Sequence, residues 1–227
     1  MNYVENVFIC LAAPLTIAVL RMHGKARRTL LFLLGGMTTC LLSSYISTFL
    51  AGGLEVDTVT ASMELTPVVE EIMKFLPALF YLVVFEPDTD NAVDGIMMTA
   101  IGFATFENVC FMTQNGAAKL THLLIRGFGT GAMHVVCASI IVAGFLHVWD
   151  REWLRIAGTF GLLAMAISFH GIYNVFVSQK GYVATVGFFI PVVTMAIILI
   201  ISERRGRLGE CRKRNLPPEE PEKSETI

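Results

Sequence analysis

Residues 65–85 read LTPVVEEIMKFLPALFYLVVF. An apolar run of about 20 residues is what a helix needs to cross the hydrocarbon core of a bilayer. This run nevertheless holds Glu70, Glu71 and Lys74. Ionisable groups inside a span cost a few kcal/mol each on insertion scales, so they face a protein interior and one another. Glu70 and Lys74 are i,i+4 neighbours and Glu71 and Lys74 are i,i+3, so either carboxylate can reach the ammonium. Pro67 stands near the start of the run, where its missing N–H costs little. Pro77 removes a backbone bond beyond Lys74 and predicts a kink. The stretch therefore reads as a membrane helix built to take part in a polar site, and the rest of the chain agrees with the membrane.

The chain has 227 residues, 54% of them hydrophobic, and only 16% charged, against about 25% in ordinary soluble domains. Mean hydropathy is +0.63. The charge is also displaced towards one end: from Ser202 onwards lie Arg204, Arg205, Arg207, Arg212, Lys213 and Arg214, then Pro217, Pro218 and a Glu-rich close. A soluble domain of this composition would lack the polar surface to cover itself. Soluble enzymes, disordered chains and disulfide scaffolds are excluded. No basic stripe suggests nucleic acid. Cys10, Cys40, Cys110 and Cys137 lie in apolar runs and Cys211 in the charged tail, with no CxxC pair, so they read as small hydrophobes.

Seven segments are long and apolar enough to be read as spans: residues 3–20, 29–51, 65–85, 93–113, 122–149, 156–178 and 182–201. The first lacks the basic leader and small-residue cleavage site of a signal peptide. Lys and Arg set the orientation. With the N-terminus outside, Arg21, Lys25, Arg27, Arg28, Arg151, Arg155 and the basic tail all fall inside, and only Lys119 and Lys180 outside. By the positive-inside rule this predicts an all-α polytopic membrane protein with about seven transmembrane helices, N-terminus outside and C-terminus cytoplasmic. Residues 1–201 form the membrane domain; residues 202–227 read as a disordered cytoplasmic tail whose basic part is attracted to anionic lipid. No internal repeat is visible.

Four of the spans carry ionisable or amide groups. Besides Glu70, Glu71 and Lys74, there are Glu107 and Asn108, then Arg126 and His134, then His170 and Asn174. On the inferred topology these lie about six to twelve residues below the outer boundary, roughly 9–18 Å at 1.5 Å per residue. Groups at one depth on four helices predict a single site. Gly127 and Gly131 form a small-xxx-small pattern expected to bring a neighbouring helix close to His134. Each group alone has a plainer reading: a lone histidine as an interhelical donor, a Glu–Lys pair as internal neutralisation, Asn174 as helix glue. His23, His122 and His147 sit at span ends and read as interfacial.

At these residues the chain resembles a known family. Glu70-Glu71-Ile72-Met73-Lys74 resembles the EExxK motif of the PrsW-type intramembrane proteases. Residues 94–108, from Asp94-Gly95 through Gly102-Phe103-Ala104 to Glu107-Asn108, are similar to that family's second motif. Residues 126–144, with His134, resemble the third, and His170-Gly171-Ile172-Tyr173-Asn174 the closing HxxxN. The match runs from about residue 66 to 174. The resemblance implies an integral endopeptidase of a bacterial cell membrane. Its substrate would be a single-span membrane protein such as an anti-sigma factor, cut first on the extracytoplasmic side. The wider superfamily contains CAAX prenyl endopeptidases and immunity-type proteases, but Lys74 and Glu107 favour the PrsW branch.

No serine triad or intramembrane aspartate pair is evident, so a carboxylate-activated water is the chemistry that remains. By resemblance Glu70 is the general base, with Glu71 close behind because helical geometry does not separate them. His134 helps hold the water, and His170 with Asn174 donate to the oxyanion. Lys74, Asn108 and Arg126 support the set. HExxH is absent, yet Glu107, His134 and His170 could supply the two-His, one-Glu set of a catalytic zinc. The likeness of HxxxN to the CAAX oxyanion arrangement favours the metal-free version. A proton- or ion-coupled transporter is the alternative from another class, since Glu, His and Lys chains also mark such pathways. An inactive scaffold is a third.

Overall fold

The apolar runs become long helices. The computed structural model describes residues 4–85, 89–115, 120–148 and 152–214. In order these form α1 (Val4–Arg21), α2 (Gly24–Gly53), the single turn α3 (Thr58–Thr60), a π-helical turn (Ala61–Leu65), α4 (Thr66–Phe85), α5 (Thr89–Asn115), α6 (Leu120–Val148), α7 (Glu152–Val177) and α8 (Tyr182–Arg214). No strand occurs among the described residues. The expected spans and the helices coincide closely, except that α2 begins at Gly24 and α8 runs on to Arg214. The tail's helical part thus extends well past residue 201. Lys119, Arg151 and the Pro217–Pro218 segment lie outside the described residues.

Among the described residues six helices are long and apolar enough to cross a membrane: α1, α2, α5, α6, α7 and α8. Helix α4 has 20 residues, about 30 Å at the usual rise, but carries the three charges of the EExxK stretch. The distribution of polarity is inverted relative to a soluble protein. Phe49, Phe80, Phe128 and Phe160 point outward and are largely exposed, while Glu71, Lys74, His134 and His170 are buried. A shell of exposed Leu, Ile, Val and Phe is what hydrocarbon solvates, and polar side chains then have to be satisfied inside the bundle.

Helix α6 lies against α5, α7 and α8, while α2 lies against α4 and α5. Its inner face carries Met133, His134, Val136 and Cys137, and α5 contributes Phe103 and Phe106, all essentially without exposure. The closest approach of a glycine to another helix's backbone, among the described residues, joins α2 to α5. A Cβ on Gly36 would stand 2.0 Å from the Thr99 carbonyl oxygen, and one on Gly102 would stand 2.1 Å from that of Leu33. Each glycine therefore lets the other helix's backbone into direct contact. Gly36→Val is expected to lower accumulation and to destabilise the bundle by about 3 kcal/mol, the upper end of ordinary overpacking. Thermal unfolding in detergent checks this, with Gly131→Ala as a tolerated control.

That control is also a correction. The pattern Gly127-xxx-Gly131 does not mediate close packing, since a Cβ on either meets nothing within 4 Å. Gly129, on another face of α6, makes the approach, with Phe188 of α8 2.9 Å from its would-be Cβ. Spacing alone fixes which residues share a face and leaves open which face meets a neighbour.

The segment joining α2 to α4 is built by local chemistry. Asp57 caps α3, accepting from the Val59 and Thr60 amides at 3.0 and 3.1 Å and from the Thr60 hydroxyl at 2.6 Å. These bonds, the Thr60 hydroxyl first, hold its carboxyl below the usual range. In the π turn the Thr66 amide bonds back five residues to the Ala61 carbonyl. The next carbonyl in that register, Ser62, would need the amide of Pro67, which has none. Asn174 of α7 supplies the missing donor: its Nδ2 reaches the Ser62 carbonyl at 2.9 Å.

Candidate active site

The four helices singled out by charge meet through one continuous line of contacts. Arg126 Nη1 donates to Asn108 Oδ1 at 2.5 Å, and Arg126 Nη2 lies 3.2 Å from Glu107 Oε1. Glu107 Oε2 lies 2.6 Å from His134 Nε2. His134 Nδ1 lies 2.8 Å from Lys74 Nζ, and Lys74 Nζ donates to Glu71 Oε1 at 2.6 Å. The same Glu71 oxygen is 2.7 Å from His170 Nδ1. The line ends where His170 Nε2 lies 3.7 Å from Glu70 Oε2, beyond hydrogen-bond length. The two imidazole rings stand nearly perpendicular, 89°, with centroids 5.3 Å apart.

Donor chemistry fixes the tautomers. An ammonium only donates, so His134 accepts through Nδ1 and offers its N–H from Nε2 to Glu107. An ionised carboxylate only accepts, so His170 donates from Nδ1 to Glu71. Its Nε2 is turned towards Glu70, 3.7 Å away. Around Lys74, the face of the Phe103 ring (5.0 Å to its centroid) completes the enclosure.

The two adjacent glutamates are thereby separated. Glu71 is 1% exposed and its Oε1 is engaged by both Lys74 and His170. Glu70 has 13% of its side chain exposed and lines a cavity of about 660 Å³ bounded by α4, α5, α6, α7 and α8. Lys74 pairs with Glu71 and Arg126 with Glu107, whereas Glu70, at the cavity wall, is paired with neither cation among the described residues. Glu107, Arg126, His170 and Asn174 line that cavity too, while Asn108, Glu71, Lys74 and His134 stand behind it.

Several placements were not legible beforehand. His122, read as interfacial, lines the same cavity, with Phe111 and Phe188 beside its ring. Tyr173 and Thr130 share a buried hydroxyl–hydroxyl bond of 2.8 Å in its wall. The Arg126 guanidinium lies 3.6 Å from the centroid of the Phe111 ring. Asn174, expected at an oxyanion, has an amide N–H on the Ser62 carbonyl, which leaves its second N–H for the cavity.

The donor set fits zinc once His134 releases one of its two bonds, to Lys74 or to Glu107, and so frees a ring nitrogen. One atom each from Glu70, His134 and His170 lies within 4.8 Å of the others. Two imidazoles and one carboxylate with an open fourth position are a catalytic zinc's ligands. The Glu71–His170 bond supplies the carboxylate behind a ligating imidazole that such sites use. The carboxylate in this set is Glu70, whereas the sequence pointed to Glu107. Arg126 and His134 hold Glu107 aside.

Fold and site together define a multi-pass membrane protein with a hydrolytic-type centre of imidazoles and carboxylates enclosed by its helices. Comparison with known families is consistent with that class and narrows it. The model of the PrsW family intramembrane metalloproteases matches residues 26–201, and the chain belongs to this family. It is an intramembrane peptidase. No curated protein and no solved structure matches the chain.

Proposed function

We propose that the protein hydrolyses a peptide bond of a single-span membrane protein through a glutamate-activated water, in the outer half of a bacterial cell membrane. The observation that carries this reading is Glu70: a carboxylate at a cavity wall, beside His170 Nε2, with its neighbours Glu71 and Glu107 held by other groups. A general base needs a free lone pair within reach of its proton. Glu70 Oε2 takes the proton of a water seated between it and the imidazoles, then passes it to the leaving amine. Glu107, held in place by His134 and Arg126, orients the water, and Asn174 turns its second N–H towards the developing oxyanion. Zinc, held by Glu70, His134 and His170, would supply a Lewis acid and a more acidic water; the proton-accepting role then falls to Glu107 on the same wall.

The charge count of the loops supports an extracytoplasmic N-terminus and cytoplasmic C-terminus. On that orientation the ends of α2, α5 and α7 nearest the site face outside, which suits first-site cleavage of an anti-sigma factor. A substrate helix must be unwound before water attacks, and unwinding is easiest at a helix end or beside Gly and Pro. No observation favours the transporter.

The test is incubation of the purified protein with a library of single-span substrates, with fragments mapped by mass spectrometry. Cuts near the outer boundary of the substrate span are expected. Proton flux in liposomes without any cleavage, or cuts confined to the cytoplasmic half, would sink the reading. Elemental analysis decides the metal: near-stoichiometric zinc lost in His170→Ala is expected if the ion is resident, and full activity after exhaustive chelation is expected if it is not.

A further inference from the structure

Glu70, Glu107 and Arg126 border a second cavity as well. It holds about 290 Å³ and is bounded by α1 and α2, which do not line the larger cavity, together with α5. Its wall on α2 is Cys40, Leu41, Ser44, Ser47 and Thr48; the three hydroxyls, with Cys40, have the i, i+4, i+7, i+8 spacing of one helix face. Ser44 and Thr48 are exposed at the rim, as is Gln114 of α5, and Ser47 lies deeper at 8% exposure. The Ser47 hydroxyl is buried with no hydrogen-bond partner among the described residues. A buried hydroxyl left unpaired costs about 1–3 kcal/mol, and such a group in a polar, roomy site calls for a water.

We propose that this smaller cavity is the route by which water reaches the catalytic carboxylates, separate from the 660 Å³ cavity that takes the substrate. The inference rests on the peptidase reading. Each turnover adds one water across the scissile amide, its OH to the carbonyl carbon and its proton to the leaving nitrogen. A substrate seated in the larger cavity closes that approach to bulk water, so a second opening has to supply the next molecule. A volume of 290 Å³ accommodates about ten waters at roughly 30 Å³ each. The passage runs from an exposed hydroxyl and amide rim, past the Ser47 hydroxyl, to a floor of two carboxylates, so every stage offers a hydrogen bond. Ser47 is a positioning residue in this route.

Cys110 lines the same cavity and is half-buried, whereas Cys137 is fully buried with its sulfur 3.5 Å from the Ala166 carbonyl. Both can serve as native probes. The full chain in lipid nanodiscs is treated with a charged methanethiosulfonate and the label is located by peptide mass spectrometry. Modification of Cys110 without Cys137 is expected. Ser44→Leu at the exposed rim is expected to slow that labelling and to lower kcat about tenfold with KM unchanged, as for loss of a group that acts after binding. Ser47→Ala should lower kcat several-fold and Ser47→Thr should restore it. An unlabelled Cys110, or an unchanged kcat in Ser44→Leu, would overturn the water route. A raised KM at constant kcat would overturn it too, by making the cavity a substrate subsite. Labelling needs no cleavage, so a hydrated Cys110 in a wild-type protein that cuts nothing identifies failure of the peptidase reading instead.

Discussion

Glu70→Gln is expected to abolish peptide cleavage while the protein inserts and accumulates normally. Glutamine keeps the size and polarity of the side chain and removes its charge and its basicity. Among the described residues Glu70 makes no short polar contact that would be lost: His170 Nε2 is 3.7 Å away. Stability therefore has little reason to move, and the loss reports chemistry. Positioned proton transfer contributes about 10²–10⁴ in rate, so activity should fall by at least the lower figure. The same variant reads the metal. If zinc is resident on Glu70, His134 and His170, Glu70→Gln also loses ion by elemental analysis; if Glu70 works alone as base, there is no ion to lose. His134→Ala and His170→Ala should be as damaging. A double variant should be little worse than either single, because the groups act as one unit. Substantial activity in all three singles would remove the assignment.

What the sequence revealed follows from what lipid forbids. A carboxylate or imidazole inside an apolar run is expensive wherever it faces hydrocarbon, so Glu70, Glu71, Lys74, Glu107, Arg126, His134 and His170 stand out without any coordinates. The helices carrying them are long enough to be recognised by run length. Rotation about each helix axis is a different quantity. Glu70 and Glu71 are one residue apart, about 100° around the helix, and both are in range of Lys74. Only the packing of α4 against α2, α5 and α7 turns Glu71 inward and leaves Glu70 at the cavity. The same degree of freedom hid the close contacts: Gly127 and Gly131 have the right spacing on an uncrowded face, while Gly36 and Gly102 touch across two helices far apart in sequence. The Asn174–Ser62 bond was hidden for another reason. It answers a carbonyl orphaned by a π turn in front of Pro67, a backbone detail on which hydropathy is silent.

The buried ion pair gives the largest expected effect on stability. Lys74 Nζ and Glu71 Oε1 are 2.6 Å apart, with side chains 6% and 1% exposed. Removing one partner strands the other in a site with no water to solvate it, a loss of about 3–5 kcal/mol in buried pairs. Lys74→Met and Glu71→Leu should each cause a loss of that order, measured as unfolding in detergent. Glu71→Leu/Lys74→Met should recover most of it, because two apolar side chains of similar size strand no charge and a buried pair often confers no net advantage over them. A double variant no more stable than the singles would mean that the pair is not an isolated unit, as coupling through His134 at 2.8 Å from Lys74 would produce. Activity should not recover with stability. Glu71 is the acceptor for His170 Nδ1–H at 2.7 Å, and leucine offers none. The His170 ring then loses the bond that fixes its tautomer and aims Nε2 at Glu70, a loss of outer contact that costs about 10–100-fold in comparable sites. A folded, stable and poorly active double variant would show that the charges on α4 divide their work, Lys74 compensating Glu71 and Glu71 orienting the histidine.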